Sequence, residues 1–221
     1  TIGCRPPVAG IKLRSGETLV FAGDSITDCG RLQSPPLGSG YVYIFSNLLL
    51  AKHPEVNVRI FNAGVSGNTV VDLRERWEDD VLSLSPDWIS ILIGINDVHR
   101  HLAGQPGFDP DSYYRCYREI LELTRERLGG ARLILMSPFY ISRATAAGSF
   151  RRRVLELLPQ YVERVRRLSS EFGALFIDLH SMFQELLKHR EPTVYAPEAV
   201  HPTPAGHTAI ALALLRALEE Q

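Results

Sequence analysis

Short apolar runs alternate along the chain with longer segments in which apolar residues recur every three to four positions. The short runs are typical of buried β-strands, and the periodic segments are typical of amphipathic helices. Strands are predicted over residues 18–22, 56–61, 88–93, 133–136 and 174–179. Helices are predicted over residues 41–52, 70–82, 111–128, 150–172, 181–188 and 204–218.

This alternation of strand and helix is typical of a parallel sheet, because neighbouring parallel strands need long crossover connections and helices supply them. Right-handed crossovers place helices on both faces of the sheet. We therefore expect an α/β fold, a three-layer α/β/α sandwich of the flavodoxin-like type with about five parallel strands. A length of 221 residues with 45% hydrophobic content, without a low-complexity linker, predicts a single domain over residues 1–221.

The charge of the chain argues against some classes of partner. Its 24 lysines and arginines nearly balance its 25 aspartates and glutamates, which leaves a formal net charge of −1. We therefore expect a small-molecule substrate and no general attraction to nucleic acid or to an anionic membrane surface. No apolar stretch approaches the ~18 residues of a spanning helix, so no membrane span is expected.

Three cysteines, Cys4, Cys29 and Cys116, are too widely spaced for a CxxC pair or for a mixed cysteine and histidine metal site. We expect reduced thiols, and neither a metal nor an organic cofactor. No charged region followed by an apolar one begins the chain, which favours a cytoplasmic location, although a start at Thr1 leaves secretion open. The sequence does not predict the oligomeric state.

A serine, a glycine and an asparagine follow the first three predicted strands. Ser25 lies in the segment Gly-Asp-Ser-Ile-Thr after the first strand, Gly64 follows the second and Asn96 follows the third. In open parallel sheets, ligands bind outside the carboxyl ends of the strands, where the strand order reverses. In this topology that point lies between the first and third strands. We therefore expect Ser25 and Asn96 to lie close together, with Gly64 beside them.

A histidine and a glutamate near the end of the chain add the groups that a serine nucleophile needs. Hydrolysis of an ester by serine requires a base for the hydroxyl proton and a group that orients this base. His201, in the loop before the last predicted helix, is the candidate base. Glu198 stands three residues earlier and is the candidate orienting acid.

The tetrahedral intermediate of ester hydrolysis carries an oxyanion that needs hydrogen-bond donors. The candidate donors are the backbone N–H groups of Ser25 and Gly64 and the side-chain amide of Asn96. Asp24 is expected to brace the turn that carries Ser25. For Gly64 and for the following Ser-Gly-Asn at residues 66–68, ordinary turn chemistry is the alternative.

Four short motifs occur in order along nearly the whole chain. They are Gly-Asp-Ser at residues 23–25, Asn-Ala-Gly at 62–64, Gly-Ile-Asn-Asp at 94–97 and an acid three residues before a histidine at 198–201. Together they resemble the four sequence blocks of the SGNH, or GDSL-type, hydrolases. The resemblance implies the SGNH hydrolase fold and an esterase that works without a metal or an organic cofactor. It also implies that Ser25 is the nucleophile, that Gly64 and Asn96 are oxyanion donors and that His201 is the base.

One position departs from the family pattern. The family usually carries aspartate three residues before the histidine, whereas this chain carries Glu198, which is longer by one methylene. Asp178, near the end of the last predicted strand, is an alternative partner for His201, and a backbone carbonyl is another. The altered acid also motivates a hypothesis from a different class, a binding module without catalysis.

Two irregular segments, residues 28–40 and 139–149, follow strands on the ligand side and are expected to shape the substrate site. The side chains expected at its mouth are Arg31, Gln33, Phe139, Tyr140 and Arg143. Such a mixture of donors and aromatic rings suits an acylated sugar. We expect hydrolysis of short-chain carboxylic esters, with O-acetyl groups on a carbohydrate favoured. A lysophospholipase or an acyl thioesterase is the alternative enzyme.

Histidines outside the motifs are given structural roles. His99 and His101 follow Asn96, but no third ligand is spaced to complete a metal site, so we expect them at the rim of the pocket or on the surface. His207, inside the last predicted helix, is expected to be a packing residue.

Overall fold

A central sheet of five parallel strands organises the chain, of which the computed structural model describes residues 10–34, 36–144 and 146–219. The strands are β1 (Thr18–Gly23), β2 (Arg59–Gly64), β3 (Trp88–Leu92), β4 (Arg132–Met136) and β5 (Leu175–Ile177). Their order across the sheet is β2-β1-β3-β4-β5, so the order reverses between β1 and β3 as expected. Every residue of β1 and β3 is buried, because helices cover both faces of the sheet at its centre. The predicted α/β fold with a parallel sheet is confirmed.

Helices form the two outer layers. They are α1 (Ser25–Asp28), α2 (Tyr41–Lys52), α3 (Val70–Glu75), α4 (Trp77–Asp80), α5 (Ile95–Leu102), α6 (Pro110–Leu128), α7 (Phe150–Phe172), α8 (Leu179–Leu186), α9 (Pro192–Tyr195) and α10 (Pro204–Leu218), with a 3₁₀ turn at Leu82–Leu84. α2 packs against α10, and α6 packs against both α3 and α7. Because parallel crossovers are right-handed, these two groups lie on opposite faces of the sheet.

β2 begins and ends three residues later than predicted. It is an edge strand, and Arg59 and Phe61 are exposed, so its hydrophobic pattern did not mark its bounds. Its register with β1 runs from Thr18 opposite Arg59 to Gly23 opposite Gly64. Gly64 is therefore the last residue of β2 and not part of the turn that follows.

The helix predicted over residues 70–82 is interrupted. α3 ends at Glu75, and Arg76 has φ −105° and ψ 7°, outside the helical region, before α4 begins. The helix predicted over residues 181–188 begins earlier, at Leu179, because the Asp178 carboxylate caps it. The short helices α1, α5 and α9 were not predicted.

Within the described ranges, no helix is long and apolar enough to cross a membrane. The expected cytoplasmic location stays a prediction. Cys29 and Cys116 are free thiols, and burial raises the pKa of Cys116 to about 11. Cys4 lies outside the described residues.

Candidate active site

Ser25 stands at the point where β1 passes into a one-turn helix. Asp24 is the N-cap of α1, and its carboxylate accepts the Ile26 N–H at 2.9 Å. Ser25 is the first residue of this helix, so its own N–H has no helical acceptor. A Cβ on Gly23 would lie 2.3 Å from the carbonyl oxygen of Leu92 on β3. The close packing of β1 against β3 therefore requires glycine immediately before the Asp-Ser pair.

A continuous hydrogen-bond chain joins Ser25, His201 and Glu198. Ser25 Oγ lies 2.9 Å from His201 Nε2, and His201 Nδ1 lies 2.6 Å from Glu198 Oε1. An ionised carboxylate only accepts hydrogen bonds, so Nδ1 carries the proton and Nε2 is left to accept from the serine hydroxyl. The structure thus brings the three predicted residues together in the order that proton transfer needs.

Glu198 also caps the turn on which it lies. Its Oε1 accepts the backbone N–H of His201 at 2.8 Å, and its Oε2 accepts that of Val200 at 3.0 Å. Burial by itself would raise the pKa of Glu198, but these two N–H groups and the imidazole hold it below its ordinary value. The alternative acid, Asp178, instead caps α8 and forms an ion pair with Arg166 at 2.8 Å.

Asn96, on the first turn of α5, is held against the turn that follows β2. Its Nδ2 donates to the carbonyl oxygen of Asn68 at 2.9 Å, which leaves the second N–H of the amide without a partner among the described residues. The same turn is tied to α1, because Ser66 Oγ donates to Asp28 Oδ2 at 2.6 Å. Residues 66–68 therefore lie between α1 and Asn96.

The contribution expected of Gly64 needs a correction. Its backbone N–H donates to Asn62 Oδ1 at 2.9 Å and is buried. Its Cα packs on the backbone of α1, where a Cβ would lie 2.2 Å from the Asp28 nitrogen. Gly64 thus allows β2 to approach α1 closely, but its N–H is not available to an oxyanion.

Gly67, three residues further on, has an N–H with no acceptor in the part of the chain that the structure describes. Its φ of +82° favours glycine, and nothing lies within 4 Å of the position of a Cβ. Its neighbours are both fixed, since Ser66 binds Asp28 and Asn68 binds Asn96. The sequence indicates only a turn here. Gly67 becomes a candidate oxyanion donor because the hydrogen bonds of Ser66 and Asn68 hold its N–H in place. The sequence gives no signal of these bonds.

Two carboxyl groups beneath the site are buried. Burial raises the pKa of Asp24 to about 7, although the Ile26 N–H and the charge of His201 oppose the rise. Burial likewise raises the pKa of Asp97 to about 7. The Asp97 carboxylate lies with both oxygens 3.2 Å from the Val70 nitrogen, so it caps α3 and not its own helix. Asp24 holds the start of α1, and Asp97 ties α5 to α3.

The two aromatic side chains expected at the mouth of the site from the second irregular segment are buried. Phe139 is completely buried against Phe183, with ring centroids 4.7 Å apart, and Tyr140 is also buried. Arg143 forms an ion pair with Glu191 at 2.9 Å. The prediction of aromatic platforms is wrong, because the segment after β4 continues the hydrophobic core.

Arg31 and Gln33 belong to the loop after α1. The Arg31 Nε donates to the carbonyl oxygen of Gly64 at 2.6 Å, which fastens this loop to the end of β2. Gln33 is exposed. Contact of either side chain with substrate stays a prediction.

The extra histidines are packed to different degrees. His207 is buried, accepts the Tyr41 N–H on Nδ1 at 3.2 Å and has Nε2 3.4 Å from Cys29 Sγ, which confirms its packing role. Burial lowers the pKa of His207 to about 4. His99 is partly buried, with its ring edge-to-face against Tyr140, and burial lowers its pKa as well.

Enzymes that cleave esters with serine place a hydroxyl, an imidazole and a carboxylate in this spatial order on several unrelated folds. Here the arrangement lies at the reversal point of a parallel sheet, where such folds bind their ligands. The fold and the site together define the class of α/β/α serine hydrolases.

Comparisons with known proteins narrow this class. The GDSL-like lipase/acylhydrolase family matches residues 21–209. An acetylxylan esterase of Geobacillus stearothermophilus is 41% identical over 216 residues, which span 93% of this chain and 95% of that enzyme. The chain belongs to the GDSL-like lipase/acylhydrolase family, and it is a carboxylic ester hydrolase.

Solved structures agree in fold. A crystal structure of the Geobacillus acetylxylan esterase superposes with a TM-score of 0.85 at 40% identity, covering 96% of this chain and 98% of its own. A protein of Parabacteroides merdae, provisionally described as a GDSL-like lipase, has a TM-score of 0.86 at 33% identity, covering 95% and 98%. The expected SGNH hydrolase fold is confirmed. Three variants of the Geobacillus enzyme are described as catalytic mutants, and they replace a serine, a histidine and an aspartate three residues before that histidine with alanine.

Proposed function

We propose that this esterase removes acetyl groups from the hydroxyl oxygens of a carbohydrate, with Ser25 as nucleophile, His201 as base and Glu198 as the acid that orients the base. The observation that carries the proposal is the hydrogen-bond chain from Ser25 Oγ through the imidazole to Glu198, at 2.9 and 2.6 Å. The catalytic mutants of the Geobacillus enzyme alter a serine, a histidine and an acid with the same three-residue spacing. The acid there is aspartate, and here the longer glutamate also reaches the imidazole.

The chemistry divides between an acylation and a hydrolysis. His201 Nε2 accepts the hydroxyl proton as Ser25 Oγ bonds to the acetyl carbonyl carbon. The bond from that carbon to the sugar oxygen then breaks, and the imidazolium gives its proton to the leaving oxygen. In the second half the same imidazole takes a proton from a water molecule, whose oxygen bonds to the acetyl carbon. The bond from this carbon to Ser25 Oγ then breaks, the imidazolium returns its proton to Oγ, and acetate is released. Glu198 stabilises the imidazolium in both halves.

Three donors are assigned to the oxyanion: the N–H groups of Ser25 and Gly67 and the side-chain amide of Asn96. Each has an N–H without a partner in the described ranges, and the turn that holds Gly67 lies between α1 and Asn96. Gly67 takes the role expected of Gly64, because the Gly64 N–H is already bonded to Asn62. In serine hydrolases the loss of one such donor lowers kcat by about 10²- to 10³-fold.

Two observations favour an acetylated carbohydrate as the substrate. The Geobacillus relative that shares 41% identity across nearly the whole chain is an acetylxylan esterase. In this chain the side chains of His201 and Glu198 are 58% and 47% exposed, so the base lies open to solvent. An open site suits an oligosaccharide, whereas a long acyl chain needs apolar cover. An acetylated xylooligosaccharide is therefore the first substrate to test.

The test compares hydrolysis of p-nitrophenyl acetate, p-nitrophenyl octanoate and an acetylated xylooligosaccharide by the wild type and by Ser25→Ala. We expect the wild type to release acetate from the saccharide and to prefer the acetate ester to the octanoate. Ser25→Ala should lose turnover by about 10³-fold or more. Ser170→Ala changes an exposed serine near the end of α7 and is the matched control, with wild-type activity expected.

Labelling with a fluorophosphonate identifies the nucleophile independently of the substrate. The wild type and Ser170→Ala should each take up one equivalent, and Ser25→Ala none. Turnover that survives in Ser25→Ala contradicts the assignment of the nucleophile. A preference for octanoate contradicts the assignment of the substrate and supports the alternative enzyme, a lysophospholipase or an acyl thioesterase.

A further inference from the structure

Arg76 lies at the break between α3 and α4, and its side chain points back to the sheet with only 16% of its surface exposed. Nε donates to Asn68 Oδ1 at 2.6 Å. Nη1 donates to the carbonyl oxygen of Ala63 at 2.7 Å, and Nη2 donates to that of Gly23 at 3.1 Å. One guanidinium thus binds acceptors from three separate segments of the chain.

These acceptors flank the residues that we assign to the reaction. Gly23 is the last residue of β1, two positions before Ser25. Ala63 is the penultimate residue of β2, and Asn68 stands directly after Gly67. The guanidinium therefore connects the strand that leads to Ser25, the end of the neighbouring strand and the turn that carries the Gly67 N–H.

Asn68 is bonded through both its side chain and its backbone. Its side-chain oxygen accepts from Arg76, and its carbonyl oxygen accepts from Asn96 Nδ2 at 2.9 Å. A displacement of Asn68 therefore shifts the Gly67 N–H and the Asn96 amide together. Among basic side chains only arginine has a planar fork of donors that holds several acceptors in fixed directions.

Pairing with a carboxylate does not explain why Arg76 is buried. Its acidic partner, Asp80, is 41% exposed, and the nearby Arg74 pairs with Glu119 at the surface. Burial of a guanidinium is unfavourable unless its donors are used. The donors of Arg76 bind the carbonyl oxygens at the ends of β1 and β2 and the side chain of Asn68.

We propose that Arg76 is a positioning residue for ester hydrolysis. Its guanidinium fixes the turn of residues 66–69 against the ends of β1 and β2, and so holds the Gly67 N–H and the Asn96 amide in place for the oxyanion. This inference rests on the proposed function. Arg76 acts through these neighbours and not by contact with the substrate. Displacement of catalytic groups by about 1 Å lowers rates by about 10²-fold, which sets the size of effect to look for.

The experiment compares Arg76→Met and Arg76→Lys with the control Arg74→Met. Arg74 lies two residues before Arg76 and pairs with Glu119 at the surface, so the control removes the same charge without touching the strand ends. For Arg76→Met we expect kcat for p-nitrophenyl acetate to fall by about 10- to 100-fold, with KM within about twofold of the wild type. Arg76→Lys should recover little of this loss, because an ammonium lacks the fork. Arg74→Met should match the wild type.

Inhibition by benzeneboronic acid gives a second readout, because its tetrahedral adduct with serine needs the same donors. Its affinity should weaken in Arg76→Met by about the factor lost in kcat. A purely structural role would lower the melting temperature and leave kcat and boronate affinity unchanged in the folded enzyme. That result overturns the proposal, and so does full recovery by Arg76→Lys.

If Arg76→Met does not fold, Asn68→Ala provides the same comparison, since it removes only the side-chain acceptor. A fall in kcat and boronate affinity supports the proposal, and wild-type values overturn it. Ser25→Ala is measured beside these variants. Turnover that survives in Ser25→Ala defeats the proposed function, whereas an inactive Ser25→Ala beside a fully active Arg76→Met defeats this inference alone.

Discussion

Glu198 holds His201 at two places. Its Oε1 accepts the backbone N–H of His201 at 2.8 Å and the imidazole Nδ1 at 2.6 Å. The carboxylate therefore fixes the orientation of the ring relative to the chain that carries it. In Glu198→Gln, the backbone N–H would keep the amide oxygen turned toward Nδ1, so the tautomer of the imidazole would be retained while the negative charge is lost.

The first prediction follows from this double contact. We expect Glu198→Gln to lower kcat by about 10²-fold, because only the stabilisation of the imidazolium is lost. His201→Ala removes the base and should lower kcat by about 10³-fold or more. The measurement is turnover of p-nitrophenyl acetate at saturation. A greater loss in Glu198→Gln than in His201→Ala, or no loss in either, is incompatible with the assigned roles.

The second prediction separates two glycines that the sequence does not distinguish. Gly64→Ala should lower stability by about 3 kcal/mol, because its Cβ would meet the backbone of α1 at 2.2 Å. Gly67→Ala meets open space, so its φ of +82° should reduce stability by only about 1 kcal/mol. Its kcat should nevertheless fall, since the strained turn displaces the N–H. Thermal unfolding and kcat of the folded protein measure the two effects, and the reverse pattern would restore Gly64 as the donor.

The third prediction concerns stability in acid. The pKa of His207 is lowered from 6.5 to about 4, so between these values the unfolded chain binds more protons than the folded protein. Stability from this group is complete above pH 6.5 and is lost as the pH falls toward 4, by about 3 kcal/mol. His207→Asn cannot be protonated, and its side-chain oxygen can accept the Tyr41 N–H. Denaturant unfolding at several pH values should give a smaller acid loss for the variant than for the wild type; equal losses refute the assignment.

The fourth prediction has the opposite sign. The pKa of Asp24 is raised from 3.8 to about 7, so between these values the folded protein binds more protons than the unfolded chain. Its contribution is present below pH 4 and is lost as the pH rises through 7. Asp24→Asn keeps the acceptor for Ile26 and does not titrate, so it should gain stability relative to the wild type by about 4 kcal/mol from pH 4 to pH 8. A constant difference across that range would show that Asp24 is ionised throughout.

The sequence predicts best those features that depend on local pattern. β1 and β3 are buried on both faces and are composed mostly of apolar residues, so the sequence marks them clearly. β2 lies at the edge of the sheet, and its bounds are set by its register with β1. The break at Arg76 depends on carbonyl groups at the ends of two strands. Those acceptors, at Gly23 and Ala63, are distant from Arg76 in the chain. The helical periodicity of residues 70–82 therefore could not predict the break.

The candidate site divides in the same way. Ser25 and His201 could be assigned from their places at the end of a strand and before a helix, and their 2.9 Å contact agrees with that assignment. The choice between Gly64 and Gly67 depends on which N–H is already bonded, and this is decided by side chains such as Asn62. Phe139 resembles a loop aromatic in sequence, but it packs on Phe183, which lies far along the chain.

Ser25 and His201 are separated by 176 positions, and His201 is held in place by a segment that leads directly into α10. α10 packs on α2, so the two ends of the fold must meet before the hydroxyl and the imidazole can touch. During synthesis, a chain that has already formed β1 to β4 therefore carries an inert serine until α10 emerges and docks. Esterase activity consequently requires α10 to be docked on α2, so the recovery of activity during refolding would report this docking and not the formation of the sheet alone.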